Sequence, residues 1–160
     1  MKRICILILI ISICTLMLTA CVPVDRALDS LGEYRSCEYY SEGVGQDFTD
    51  YAIYYYDSVD FTDNEYFSKI EQSDMDDINK HLDDFENWIE TFRERDASLE
   101  IVVNYNFDRS LIDSEDYLYI YSETNTVTGD DGTTTTYFTS YDIYFFNIQT
   151  NTLYYFHNNI

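Results

Sequence analysis

The apolar positions change period several times along this chain. Residues 4–18 are apolar throughout except for Ser12 and Thr15. Residues 22–50 keep no sustained period and contain Pro23 and the run Glu42-Gly43-Val44-Gly45, so they are expected to form a tether. A short helix fits after Asp25, with Ala27, Leu28 and Leu31 on one side. From Tyr51 the pattern strengthens, and Tyr51 to Asp57 is aromatic and β-branched enough to predict a strand. Thr62-Asp63-Asn64-Glu65 reads as a capping box flanked by Phe61 and Tyr66, which predicts a short helix to about Glu71. Ser73 is expected to cap a longer helix, with Asp74, Asp76 and Asp77 at its positive end and Arg93 and Arg95 at its negative end. Along it Met75, Ile78, Leu82, Phe85, Ile89 and Phe92 recur at spacings of three and four, and Trp88 widens the stripe.

The remaining chain reads as strand. Leu99, Ile101, Val103, Tyr105 and Phe107 alternate with mostly polar neighbours. Tyr117 to about Thr128 and Thr133 to about Asn147 flank the hairpin signal Gly129-Asp130-Asp131-Gly132. A second turn at 148–151, with Asn151 suited to a left-handed conformation, leads into Leu153 to Phe156. The long helix must bury its stripe, and the adjacent strands offer the large apolar face. The expected class is α+β: a short and a long helix packed on an antiparallel sheet of four to five strands. In element order this resembles the cystatin-like and NTF2-like topologies, although the cystatin-type turn Gln-x-Val-x-Gly is absent. Such a likeness does not fix a function.

Charge sharpens the division into segments. The chain carries 30 acids against 9 lysines and arginines, a formal charge of −21, which argues against nucleic-acid binding because phosphates would be repelled. Residues 1–20 hold none of those acids and two of the bases, Lys2 and Arg3. A basic start, an apolar stretch and small residues make a secretory signal peptide. It ends in Leu18-Thr19-Ala20-Cys21, which resembles the lipobox of bacterial lipoproteins. That resemblance implies cleavage between Ala20 and Cys21 and acylation of the Cys21 thiol. The chain would then be lipid-anchored on the extracytoplasmic face of the cell membrane, since two or more acyl chains hold firmly where one does not. The expected domains are a signal peptide at 1–20, a lipidated N-terminus and tether at 21–50, and an α+β domain at 51–160. Loss of residues 1–20 leaves seven bases and 30 acids, or −23, and all 28 Phe, Trp and Tyr. Cys5 and Cys14 would leave with the signal, so Cys37 remains as an unpaired thiol and no disulfide forms within the mature chain.

Candidate chemistry is sparse. The segment from Asp74 fails the EF-hand pattern, with Asn79 at its sixth and Phe85 at its twelfth position, and helix capping accounts for its acids. His81, His157 and Cys37 lack zinc-ligand spacing, and His81 is expected to lie solvated on the helix. No metal or cofactor is expected. With so many acids, a carboxylate pair fit for glycoside cleavage carries little information. Tyrosine is the better lead. If Leu118 and Ile120 face the helix, then Tyr117, Tyr119 and Tyr121 face outward, joined by Tyr144 and Tyr154 from neighbouring strands. The expectation is a non-catalytic interaction module with a protein or cell-wall partner. A small envelope hydrolase and an inhibitor or immunity-like protein are the alternatives.

Overall fold

The computed structural model describes residues 25–44 and 47–159. The signal peptide, Ala20 and Cys21 lie outside the described residues. The fold is α+β, with six antiparallel strands in one sheet and a long helix packed across it. In chain order the elements are helix α1 (Arg26–Asp29), strands β1 (Ser36–Val44), β2 (Asp47–Tyr55) and β3 (Ser68–Lys69), helices α2 (Met75–Arg95) and α3 (Glu100–Asn104), and strands β4 (Tyr117–Thr128), β5 (Thr134–Asn147) and β6 (Thr152–Asn159). The order across the sheet is β1-β2-β6-β5-β4-β3.

The inner face packs against α2. Cross-strand partners Tyr40, Tyr51, Phe156, Ile143 and Ile120 form one row, and Ile53, Tyr154, Phe145 and Leu118 the next. Onto them α2 lays Ile78, Leu82, Phe85, Ile89 and Phe92, all buried as the helical spacing predicts. The outer face is apolar too. There α1 and the loop 56–67 cover Ala52, Tyr54, Tyr144, Phe146 and Leu153 with Ala27, Leu31, Tyr56 and Phe67. The result is a sheet with a full helical layer on one side and a partial cover on the other.

Several expectations are corrected. The segment 22–50 is not a tether over its described part, because α1, β1 and the start of β2 belong to the fold, and the domain begins by Asp25 rather than Tyr51. An edge strand has one paired side and buries little, so β1, with exposed Glu38, Tyr39 and Ser41, keeps no strong period. Gly43 serves a tight hairpin rather than a linker, since a Cβ there would collide with the Asp47 carbonyl. The sheet therefore has six strands, above the four to five expected.

Residues 62–71 form no helix. Asp63 adopts φ 58°, and Asn64 Oδ1 accepts from the amides of Tyr66 and Phe67 at 2.9 and 3.0 Å, which holds a turn. Ser73 is not the cap of α2: a 3₁₀ turn at Gln72–Asp74 precedes it, and the Glu71 amide donates to Asp74 Oδ2 at 2.8 Å. Residues 99–107 are not a strand. Ile101 and Val102 are both buried while Val103 is 66% exposed, which is a helical phase, set by packing of α3 against α2 and β1. His81 is fully buried, its ring 4.2 Å from that of Phe138.

Both turn signals hold. Gly132, at φ 82°, closes the β4–β5 hairpin, and Asn151, at φ 51°, closes the β5–β6 connection. The β5–β6 corner is clamped by buried Asp116, which accepts from the Ile148 amide at 2.9 Å and from Asn147 at 3.3 Å.

A chain beginning at Tyr51 loses β1, the first residues of β2, and Ala27 and Leu31. It is expected to lose cooperative thermal unfolding, whereas a chain beginning at Asp25 retains it, as followed by circular dichroism. Equal melting of the two would show that residues 25–50 are dispensable.

Candidate outer-face groove

Side chains alternate across a strand, so residues two apart share a face. On the outer face one row reads Ser41, Asp50, His157, Asp142, Tyr121, running from β1 to β4. The next row reads Tyr39, Ala52, Tyr155, Tyr144, Tyr119. The cover supplied by α1 ends near these rows and leaves a groove with two adjoining lobes, which share Asp25, Asp142 and Tyr144. One lobe of about 370 Å³ is lined by Phe48, Asp50, Tyr155 and His157, and the other of about 380 Å³ by Arg26, Tyr66, Tyr119 and Tyr121.

The polar groups of the groove are tightly connected. Asp25 caps α1 by accepting from the Leu28 amide at 3.0 Å, and its second oxygen accepts from Tyr144 at 2.6 Å. Asp142 Oδ1 accepts from the Tyr155 hydroxyl at 2.7 Å and lies 2.7 Å from His157 Nδ1. Facing a carboxylate, Nδ1 is the donor, and a neutral ring then presents a lone pair at Nε2. That Nε2 is buried and has no partner among the described residues, and the same is true of Oδ1 of Asp50, a residue only 5% exposed. Phe48, its ring 4.9 Å from that of His157, forms the rim above them.

Burial and the adjacent Asp50 push the Tyr39 phenol up to about 12, and burial with the Glu38 contact does the same for Tyr55. Burial raises Tyr144 and Tyr155 further, and the hydrogen-bonded carboxylates act in the same direction. Asp116 is raised by its burial, against the hydrogen bonds it accepts.

The five tyrosines expected on one outer face divide. Tyr119 and Tyr121 line the groove, with Tyr121 46% exposed and donating to Glu123 at 2.6 Å. Tyr117 lies on the same face but stacks on Phe61, centroids 3.8 Å apart. Tyr144 is buried and forms the floor rather than exposed surface. Tyr154 is corrected: it faces the helix and packs edge-on against Phe107 at 5.0 Å. Its neighbour Tyr155 takes the outer position, because a one-residue change of register exchanges the two faces. Asp50 and Asp142 escaped the sequence reading, while Asp25 entered it only as the start of a helix and His157 only as a rejected zinc ligand. Asp50 and Asp142 did leave a trace, each standing next to a buried tyrosine in strand-like sequence.

No metal-binding group of three or more His, Cys, Asp or Glu side chains occurs among the described residues. Among the described residues His157 Nε2 meets no hydroxyl or thiol, so these residues do not complete a nucleophilic triad with Asp142 and His157. Cys37, in β1, is half-buried, and burial raises its thiol, which disfavours the reactive thiolate. A hollow of about 460 Å³ at the start of α2 is larger, but none of its lining residues holds a buried unpartnered side-chain atom. Comparison with known proteins finds no matching family model, no matching curated protein and no matching solved structure.

Phenols raised by folding release protons first in the unfolded chain, so their stabilising effect is intact below about pH 10 and is lost as pH rises through the folded values. Alkaline unfolding is expected from about pH 10 upward, steepening near pH 12, with tyrosinate absorbance and circular dichroism changing together. Ionisation of most of the 17 tyrosines near pH 10 with the dichroism intact would contradict this.

Proposed function

We propose that the chain is a membrane-anchored extracytoplasmic lipoprotein whose folded domain is a non-catalytic binding module. The observation that carries the binding role is the outer-face groove, which gathers tyrosines around two buried polar atoms that the domain leaves unpartnered. A concave aromatic surface with a few convergent polar groups is the usual form of a recognition site. The absence of a nucleophile at His157 among the described residues favours binding over covalent catalysis.

The anchoring role rests on Leu18-Thr19-Ala20-Cys21. None of the described helices is long and apolar enough to cross a membrane. The described structure begins at Asp25, so three residues, Val22 to Val24, separate it from a lipid on Cys21, and the four Cα–Cα steps between Cys21 and Asp25 span at most about 14 Å. The domain would then sit close to the bilayer, with Asp25 and the groove it lines near the anchor. The partner would be a protein or cell-wall component reached across that surface, and the strong negative charge would speed encounter with basic surfaces.

Radiolabelled fatty acid is expected to label the wild-type chain and to leave Cys21→Ala unlabelled and unprocessed. Cross-linking of the lipidated protein in its native envelope is expected to retain a partner, and substitution of Tyr119 and Tyr121 by alanine to release it without loss of folding. Normal labelling of Cys21→Ala would refute the anchor. Turnover of a glycan substrate with no partner retained would refute the module.

A further inference from the structure

We propose that the Asp50–His157–Asp142 end of the groove is a binding site for a single alkylammonium group, of the kind a lysine side chain of a partner protein presents. The inference rests on the reading of this domain as a binding module and names the chemistry it recognises. Burying a carboxylate oxygen without a donor is costly, and a native fold retains such an atom where something else supplies the donor. Among the described residues, Oδ1 of Asp50 and Nε2 of His157 are both in that condition, and the two residues that carry them line the same lobe. With Nδ1 of His157 facing Asp142 and the ring neutral, both open positions accept, so the missing group is a donor with more than one N–H.

The arrangement selects ammonium over guanidinium. A guanidinium is held best by a carboxylate that offers both oxygens in one plane. Asp25 has both oxygens engaged, by the Leu28 amide and Tyr144, and Asp142 has already given Oδ1 to Tyr155 and His157. What remains is a set of separate single acceptors, which suits three tetrahedrally placed N–H bonds. Phe48 and Tyr155 flank His157 with ring centroids 4.9 and 6.3 Å from it, and supply apolar surface for a methylene stem and aromatic faces for the charge. A lysine stem has four methylenes and no anion. The ammonium of an aminolipid headgroup, by contrast, lies two carbons from a phosphate, which would be set against Asp25 and Asp142. Among the described residues the one lysine or arginine at the groove, Arg26, lines the other lobe.

The test is calorimetric titration of the full chain, in detergent micelles, with the capped tripeptide Ac-Gly-Lys-Gly-NH2. Saturable binding is expected, weakened at least tenfold by Nε-acetylation of the lysine and at least threefold by its replacement with arginine. Asp50→Asn should weaken binding at least tenfold. Asp130→Asn, which removes the same charge from the remote hairpin turn, should change it less than twofold. If Asp50→Asn fails to fold, Phe48→Ala on the exposed rim should still weaken binding at least threefold. Equal losses for Asp50→Asn and Asp130→Asn, equal binding of the acetylated peptide, or tighter binding to phosphatidylethanolamine vesicles than to the peptide would each overturn the proposal. An envelope partner retained by a chain that ignores the lysine peptide would leave the module reading intact and remove only this inference.

Discussion

With 30 acids and 9 lysines and arginines, this chain cannot neutralise its carboxylates by ion pairing, and tyrosine hydroxyls take over much of that role. Tyr144 donates to Asp25, Tyr155 to Asp142, Tyr141 to Asp84 and Tyr105 to Glu86, all at 2.6 to 3.0 Å. Each phenol contributes an apolar ring to a core and a donor to an acid at its edge. Where a guanidinium is used, it is shared: Arg109 contacts both Asp83 and Glu86 at 2.8 Å, and Tyr105 donates to the same Glu86. Most of the acids that enter the fold are thereby satisfied with little positive charge, with Oδ1 of Asp50 the exception among the described carboxylates, and the remainder stay at the surface, where water screens them.

A second constraint follows from the same aromatic content. Strands this rich in Tyr and Phe are apolar on both faces, so one helical layer is not enough. Helix α2, with Ile101, Val102 and Phe107 beside it, covers the centre of the inner face. Among the described residues the outer face receives only α1 and the loop 56–67, too little to reach its far rows. The groove is the part of a two-faced sheet that the available cover does not reach, which explains why its floor is buried tyrosine and its open end holds acids and a histidine.

Much of this architecture was legible because it depends on local period and local turns. The α2 stripe predicted its own burial, since spacings of three and four leave one face to hide. Gly129 to Gly132 and Asn151 announced their turns, since each supplies a backbone shape that other residues resist. The failures were of a different kind. Residues 99–107 alternate like a strand, yet Ile101 and Val102 are buried together against α2 and β1, and tertiary packing overrode the local period. Edge strand β1 carried too few apolar residues to be distinguished from a tether. The tyrosines of the groove were half legible: Tyr119 and Tyr121 follow from Leu118 and Ile120, but exchanging Tyr154 for Tyr155 required the register between β5 and β6.

By itself, then, the sequence determined the α+β class, the long helix with its buried face, the two hairpin turns and the aromatic, acidic character of the domain. These rest on interactions between residues close along the chain. Only the tertiary structure decided that Asp25, Asp50, Asp142 and His157 converge, because they come from four separate segments: strand register joins the last three, and the packing of α1 on the sheet brings in Asp25. It also decided that Oδ1 of Asp50 and Nε2 of His157 are buried without partners. Whether a polar atom is satisfied depends on what folds over it, and no pattern along a strand records that.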